Sequence, residues 1–305
     1  MIYDKYTLPD IPTDYAALMR SVRAIAAMPG ASFTYLGTTL LGRAIPMITL
    51  GNDLADKTYL YVGAHHGMEH LTSSVLLMFA HDYLNAANEK SAEYGTDIAR
   101  QSEERRIVVI PMLNCDGVDI EMNGAPKDHP MRERLIKMNG GDDFTRWQAN
   151  ARGVDLNHNY DAGFYEYKAV ERSLGIEGGA PTRYSGEYPE SEPEVGALCN
   201  YIRFNEGIEG CLTLHTQGEE IYCGDAPARV KSIGNEVSRL TGYRLCDPSG
   251  AAAYGGMTDW LCASLKLPSF TLECGLGENP LPSSDVVPVY EKLRRLLFVF
   301  PSLFD

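Results

Sequence analysis

The chain has no apolar run approaching the roughly 18 residues that a bilayer-crossing helix needs, so no membrane span is expected. The segment Met1 to Lys5 has neither a basic start nor an apolar stretch, which predicts no secretory signal and a cytoplasmic location. Basic residues are scarce: 27 Lys and Arg stand against 41 Asp and Glu, a formal net charge of −14. Like charge repels a phosphate backbone, which excludes DNA and RNA as expected partners and leaves a solvated acidic surface. No C-x-x-C pair occurs. The seven cysteines, at 115, 199, 211, 223, 246, 262 and 274, are odd in number and scattered, which argues for reduced thiols acting as small apolar groups. Internal repeats and low-complexity linkers are missing too. With 44% hydrophobic residues in 305, the chain has ample material for a core, and one domain over residues 1–305 is expected.

What is present is an alternation of periodicities. Tyr15, Leu18, Met19, Val22 and Ile25 recur at helical spacing over residues 13–28, with Thr13 or Asp14 as the cap. Phe33 to Leu36 and Ile45 to Leu50 read as strands of a hairpin, with Gly37 and Gly42-Arg43 between them. A strand over 58–62 precedes a helix from Leu71 to Asn85 whose apolar face holds Val75, Leu76, Phe79 and Tyr83. Ile107 to Ile110 is a continuous apolar run of the kind found in buried parallel strands. Val154 to Leu156, Cys211 to Leu214 and Phe270 to Leu272 are three further short strands. Residues 119–150 and 162–190 read as long surface loops, the first bordering a cleft. Ser191, Pro193 and Glu194 predict a capped helix start running to about Asn205, and a last helix begins near Ser284. Strands alternating with helices give an α/β class.

The chemistry gathers at strand ends. In Gly63-Ala64-His65-His66-Gly67-Met68-Glu69-His70, His66 and Glu69 have the spacing to grip one side of a zinc ion and leave other positions free. Loop histidines at a strand end are the plainer alternative. However, His66, Asn157, His215 and Glu273 each follow directly on a short apolar run. Ligands of open α/β sheets bind outside the carboxyl ends of strands, so these four are expected to converge on one rim.

These residues resemble the zinc carboxypeptidases, whose pattern is H-x-x-E, a distant histidine after a strand, then a glutamate. Leu41-Gly42-Arg43, Pro111-x-x-Asn114-x-Asp116-Gly117, Gly153 to Asn157, Ser191-Glu192-Pro193-Glu194 and Asp259-Trp260 look like the family's landmarks in order. Trp147 to Asn159, Leu214 to Tyr222 and Gly275 to Pro282 look like one bacterial branch, the γ-D-glutamyl-diamino acid peptidases, which cut peptidoglycan stem peptides. The resemblance implies a three-layer α/β/α sandwich with a mixed, mostly parallel twisted sheet. It also implies one zinc ion on His66, Glu69 and His215, with Glu273 as the base that activates water. Asp155 would orient a ligand histidine. His65 and His70 fall outside the metal-binding pair.

Two positions depart from the family. Gln148 stands where an arginine usually stabilises the oxyanion, so Arg152, ahead of Arg146, is expected to reach in instead. His158 follows Asn157 where exopeptidases keep an arginine that grips a terminal carboxylate, a fork that histidine lacks. Tyr254 lies near the family's mobile tyrosine, and Thr258 resembles its specificity position. The expected substrate is a muropeptide stem with γ-linked D-glutamate and meso-diaminopimelate. His158 and Arg152 would meet its carboxylates, and Glu219 or Glu220 its ammonium. Two other readings stand beside this one: a carboxypeptidase or amidohydrolase on ordinary peptides or N-acyl amino acids, and an inactive binding protein of the same fold.

Overall fold

A computed structural model describes residues 13–224, 226–247 and 253–305, and the Met1 to Lys5 segment lies outside them. The first helix, α1 (Tyr15–Ala26), starts where the Asp14 carboxylate accepts the Ala17 N–H at 2.7 Å. Thr13 is not the cap; its hydroxyl bonds Ser74 instead. The hairpin β1 (Ala31–Thr38) and β2 (Ala44–Gly51) follows, then β3 (Lys57–Gly63) and α2 (Leu71–Asn88). After a small hairpin, β4 (Ala92–Glu93) and β5 (Thr96–Asp97), come α3 (Ile98–Glu104) and β6 (Arg105–Ile110). The middle of the chain forms α4 (Cys115–Asn123), α5 (Arg132–Asn139), α6 (Phe164–Ser173) and α7 (Pro193–Arg203). The last part gives β7 (Ile208–His215), β8 (Glu220–Tyr222), α8 (Ala228–Thr241), β9 (Arg244–Cys246), α9 (Met257–Ser264), β10 (Ser269–Glu273) and α10 (Val286–Val299).

Among the described residues eight strands form one mixed sheet in the order β1-β2-β6-β3-β7-β10-β8-β9, flanked by helices in three layers. The central neighbours β6, β3, β7 and β10 are mutually parallel, while β1, β2 and β8 run antiparallel to their inner neighbours. The parallel centre follows from the apolar runs: Tyr59, Leu60, Tyr61 and Val62 are wholly buried, which requires cover on both faces. Register aligns the carboxyl ends, with Gly63 opposite Leu214 and His215 opposite Glu273. Among the described residues no helix is long and apolar enough to cross a membrane. The seven cysteines carry free thiols, six of them buried.

Four expectations need correction. Val154 to Leu156 is not a strand: Asp155 accepts the Asn157 N–H at 3.2 Å and starts a single 3₁₀ turn over Leu156–His158. Residues 119–150 are not simply a surface loop, because Leu135 of α5 packs with Ile120, Phe144 and Trp147 in a second small core. Helix α6 lies inside the stretch 162–190 that reads as loop, buried through Phe164 and Tyr167. Glu192 rather than Ser191 holds the cap position of α7. The Ser191 hydroxyl is drawn away, accepting from Asn159 Nδ2 at 2.9 Å and donating to Glu192 Oε1 at 2.9 Å.

Candidate active site

The chain leaves β3 through Ala64, in a left-handed conformation at φ 47°, and turns into a 3₁₀ turn at Gly67–Glu69. Gly67 is needed there. A Cβ at this position would lie 2.5 Å from the Gly117 carbonyl oxygen and 2.6 Å from that of Trp147. Asn114 ties the same layers together, donating from Nδ2 to His65 O at 3.0 Å and accepting the Gly117 N–H at 2.8 Å. Buried Asp116 in turn accepts from Thr39 Oγ1, the Leu41 N–H and Arg43 Nη1, each at 2.8 Å. The Leu41-Gly42-Arg43 and Asn114-x-Asp116-Gly117 landmarks are therefore struts of this loop.

The turn brings Glu69 Oε1 to 2.9 Å from His66 Nδ1. His215, at the end of β7, places its Nδ1 3.1 Å from Glu69 Oε2 and 3.3 Å from His66 Nδ1. All three side chains are buried, and one ligand atom from each falls within 4.8 Å of the others. Two imidazole nitrogens and a carboxylate on one point are a donor set that fits a single zinc ion with a coordination position left open. Electrostatics agree. Burial alone would make His66 a weaker base, yet Glu69 and then Asp155 raise it well above an ordinary imidazole. Burial would raise Glu69, but His66 and the hydrogen bonds from His215 and His66 bring it down to about 2. The pocket favours positive charge.

Asp155, wholly buried, has both oxygens engaged. Oδ1 accepts from His66 Nε2 at 3.1 Å and the Asn157 N–H at 3.2 Å; Oδ2 accepts from Gln148 Nε2 at 3.0 Å and the Arg183 N–H at 3.2 Å. With Nε2 held by Asp155, Nδ1 is the His66 nitrogen that faces Glu69 and His215 and is available to a metal ion. His65 is engaged elsewhere, with Nε2 2.9 Å from the Tyr160 hydroxyl and Nδ1 3.4 Å from Thr213. His70 sits 3.7 Å from Glu121.

These groups border a cleft of about 340 Å³. Glu273, at the end of β10, lines it; burial and then the Glu69 charge push its carboxyl up to about 8. Gln148, Asn157, His158 and Thr258 also line it. Gln148 is clamped, its Oε1 accepting from Thr182 Oγ1 at 2.8 Å while its Nε2 holds Asp155. Asn157 Oδ1 accepts the Met257 N–H at 3.1 Å. Thr258 Oγ1 lies 2.8 Å from Thr271 Oγ1 and 3.1 Å from Ser269 Oγ, a polar cluster of hydroxyls. His158 Nδ1 donates to Tyr254 O at 2.7 Å, its ring stacks on Tyr167 at 3.8 Å, and burial lowers its basicity. A neutral imidazole with its proton on Nδ1 has only an acceptor left at Nε2, so His158 is not the carboxylate donor expected of it.

Other expected residues lie elsewhere. Arg152 is 42% exposed and pairs with Glu192 at 3.1 Å, beside a different recess, because the buried Glu192 carboxylate draws in a cation. Arg146 pairs with Glu278 on the surface. The Tyr254 side chain lines a neighbouring recess. Glu219 pairs with Lys292, and Glu220 with Arg244 and Tyr222, so neither waits for a substrate ammonium. Unforeseen in the cleft are Thr182 and Arg183, carried by the loop between α6 and α7. Their one signal is indirect: the resemblance puts arginines where Gln148 and His158 stand, which leaves a cation to come from another segment.

The zinc carboxypeptidase profile matches residues 19–295, and the chain belongs to that family. It is a zinc metallopeptidase. Over 284 residues it is 31% identical to γ-D-glutamyl-L-diamino acid endopeptidase 1 of Lysinibacillus sphaericus, covering 92% of this chain and 69% of that protein. It is 27% identical to carboxypeptidase B of Rattus norvegicus over 78% of this chain and 56% of that one. The fold superposes on carboxypeptidase A of Helicoverpa armigera with a TM-score of 0.70 at 17% identity, over 95% of this chain and 73% of that chain.

Proposed function

We propose that this peptidase hydrolyses the amide between γ-D-glutamate and meso-diaminopimelate in peptidoglycan stem peptides, as one cytoplasmic domain. The observation that carries this reading is His158. A neutral ring bonded to Tyr254 O stands where exopeptidases keep an arginine for a terminal carboxylate, and that argues against ordinary C-terminal trimming. The 31% identity to an endopeptidase named for γ-D-glutamyl-L-diamino acids supports the same substrate class.

In this reading His66, Glu69 and His215 hold the zinc ion, and Asp155 keeps His66 in the binding tautomer. When bound, zinc supplies Lewis-acid polarisation of the scissile carbonyl and acidifies water at the site. Glu273 takes the proton from the attacking water on its carboxylate and delivers it to the departing amine. Gln148, held by Thr182 and Asp155, offers its second Nε2 hydrogen to the developing oxyanion, a neutral donor where relatives use a charge. Asn157 and Thr258 contact the substrate as uncharged polar groups.

Digestion of L-Ala-γ-D-Glu-meso-diaminopimelate, followed by mass spectrometry, tests the reading. Free diaminopimelate is the expected product, and hippuryl-type peptides are expected to be poor substrates. Faster cleavage of the hippuryl peptide would transfer the assignment to an ordinary carboxypeptidase, the second reading, which the likeness to rat carboxypeptidase B favours.

A further inference from the structure

We propose that Arg183 is the carboxylate-recognising residue of this cleft, pairing its guanidinium with a substrate carboxylate that flanks the scissile amide. The proposal rests on the reading above and names what sets its specificity. Glu69, Asp155, Asp259 and Glu273 line the cleft, and among the lining residues Arg183 alone is a permanent cation. In a molecule of net charge −14, an anionic substrate entering such a cleft needs a local positive group.

Arg183 is also uncommitted. Among the described residues its guanidinium has no hydrogen bond or ion pair, whereas nearby cations are spoken for: Arg146 by Glu278, Arg152 by Glu192, Lys168 by Glu171 and Arg203 by Glu190. Its backbone, by contrast, is pinned. The N–H donates to Asp155 Oδ2 at 3.2 Å, and the carbonyl accepts from the Tyr167 hydroxyl at 3.1 Å. The residue sits at φ 63°, a left-handed conformation that an arginine adopts only when its surroundings impose it. The carboxylate that orients His66 therefore also anchors Arg183. Pairing is chemically suited too, since the guanidinium presents two parallel N–H groups to a carboxylate. Neither Gln148, which is neutral and clamped, nor His158, which has only an acceptor to offer, can do this.

The test is a cycle of enzyme variants against substrate analogues, using the full chain loaded with zinc. Wild type, Arg183→Gln and Arg183→Lys are assayed on L-Ala-γ-D-Glu-meso-diaminopimelate. The same proteins are assayed on one analogue with the glutamate α-carboxylate amidated and another with the diaminopimelate carboxylate beside the scissile nitrogen amidated. Wild type is expected to lose roughly 10–100-fold in kcat/KM on one analogue, the scale of a charge-assisted hydrogen bond. Arg183→Gln should lose a similar factor on the parent peptide, mostly through KM, and no longer distinguish parent from that analogue. Arg183→Lys should recover part of the loss. The analogue that becomes indistinguishable identifies which carboxylate is read. Calorimetric binding of the parent peptide to Glu273→Gln, with and without Arg183→Gln, should show the same factor without turnover.

Zinc content and melting temperature of each variant exclude a folding defect. An Arg183→Gln protein that keeps the wild-type preference for both carboxylates overturns the proposal. So does a uniform fall in kcat on all three substrates, which would place Arg183 at the reacting carbonyl. If wild type leaves the γ-linked peptide intact and cleaves hippuryl peptides, the reading of the substrate fails separately. The same variants then test Arg183 on that peptide's terminal carboxylate against its amide, with the same ratio as the criterion.

Discussion

Two glutamates whose carboxyls are both raised to about 8 have opposite meanings. Glu273, which lines the cleft, is raised by burial and the Glu69 charge and is the residue proposed as general base. Glu273→Gln is expected to keep its zinc and lose roughly 10²–10⁴-fold in kcat, the range of a general base. Near-normal turnover by a zinc-loaded variant would remove Glu273 from the reaction. Glu194 is raised mainly by burial, with the Asp116 and Glu192 charges adding, and among the described residues its Oε1 has no partner. Its folded-state value lies above the ordinary 4.5, so the folded protein holds this proton more tightly than the unfolded chain does. Its contribution to stability is full below about 4.5 and is lost as pH rises through about 8. Glu194→Gln should therefore flatten the fall in melting temperature between about pH 5 and about pH 9; an unchanged slope would show that Glu194 is ionised in the folded state. The residues at strand ends were legible in the sequence, because a polar group following an apolar run has its position set by the sheet. Arg152 and Arg183 were not. Arg152 is drawn to the buried Glu192 carboxylate and Arg183 is placed by its backbone contacts to Asp155 and Tyr167, partners visible only in three dimensions.

At the scale of elements, the metal-binding turn depends on a contact between three backbones. Gly67 sits against the carbonyls of Gly117 and Trp147, and its N–H donates to Gln148 O at 2.9 Å. Backbone oxygens cannot swing aside as a side chain can. Gly67→Ala should then cost about 1–3 kcal/mol of stability, the usual penalty of overpacking, and should weaken zinc retention because Glu69 rides on the same turn. A variant with wild-type melting temperature and zinc content would show that the loop accommodates a methyl group. Elements with strong periodicity were readable from sequence: α1, α2, the β1–β2 hairpin and the central strands β3, β6, β7 and β10. Most of what escaped is short or irregular, the 14-residue helix α8 being the exception. Strands β8 and β9 have three residues each, too few for a period to show. Helix α6 lies among glycines and tyrosines that read as loop, and the turn at Leu156–His158 looks like a strand because Val154 and Leu156 flank a buried Asp155.

Across the whole molecule, the sheet holds a cation-seeking pocket inside a chain of net charge −14. His66 comes from the segment after β3, His215 from the end of β7 and Glu273 from the end of β10, neighbouring strands in the sheet. A ligand to His66, Glu69 and His215 therefore ties the carboxyl ends of β3 and β7 together, and its binding belongs partly to folding. The purified protein is expected to hold about one zinc ion per chain, from the one three-residue donor set among the described residues. Removing it with a chelator should abolish hydrolysis and lower the melting temperature, since a ligand bound only to the folded state stabilises it by mass action. Zinc added back should restore both. His66→Ala deletes one donor, so its metal content should fall and its melting temperature should become insensitive to added zinc. Equal zinc content in His66→Ala and wild type, or a wild-type melting temperature that ignores the chelator, would place the metal away from this triad.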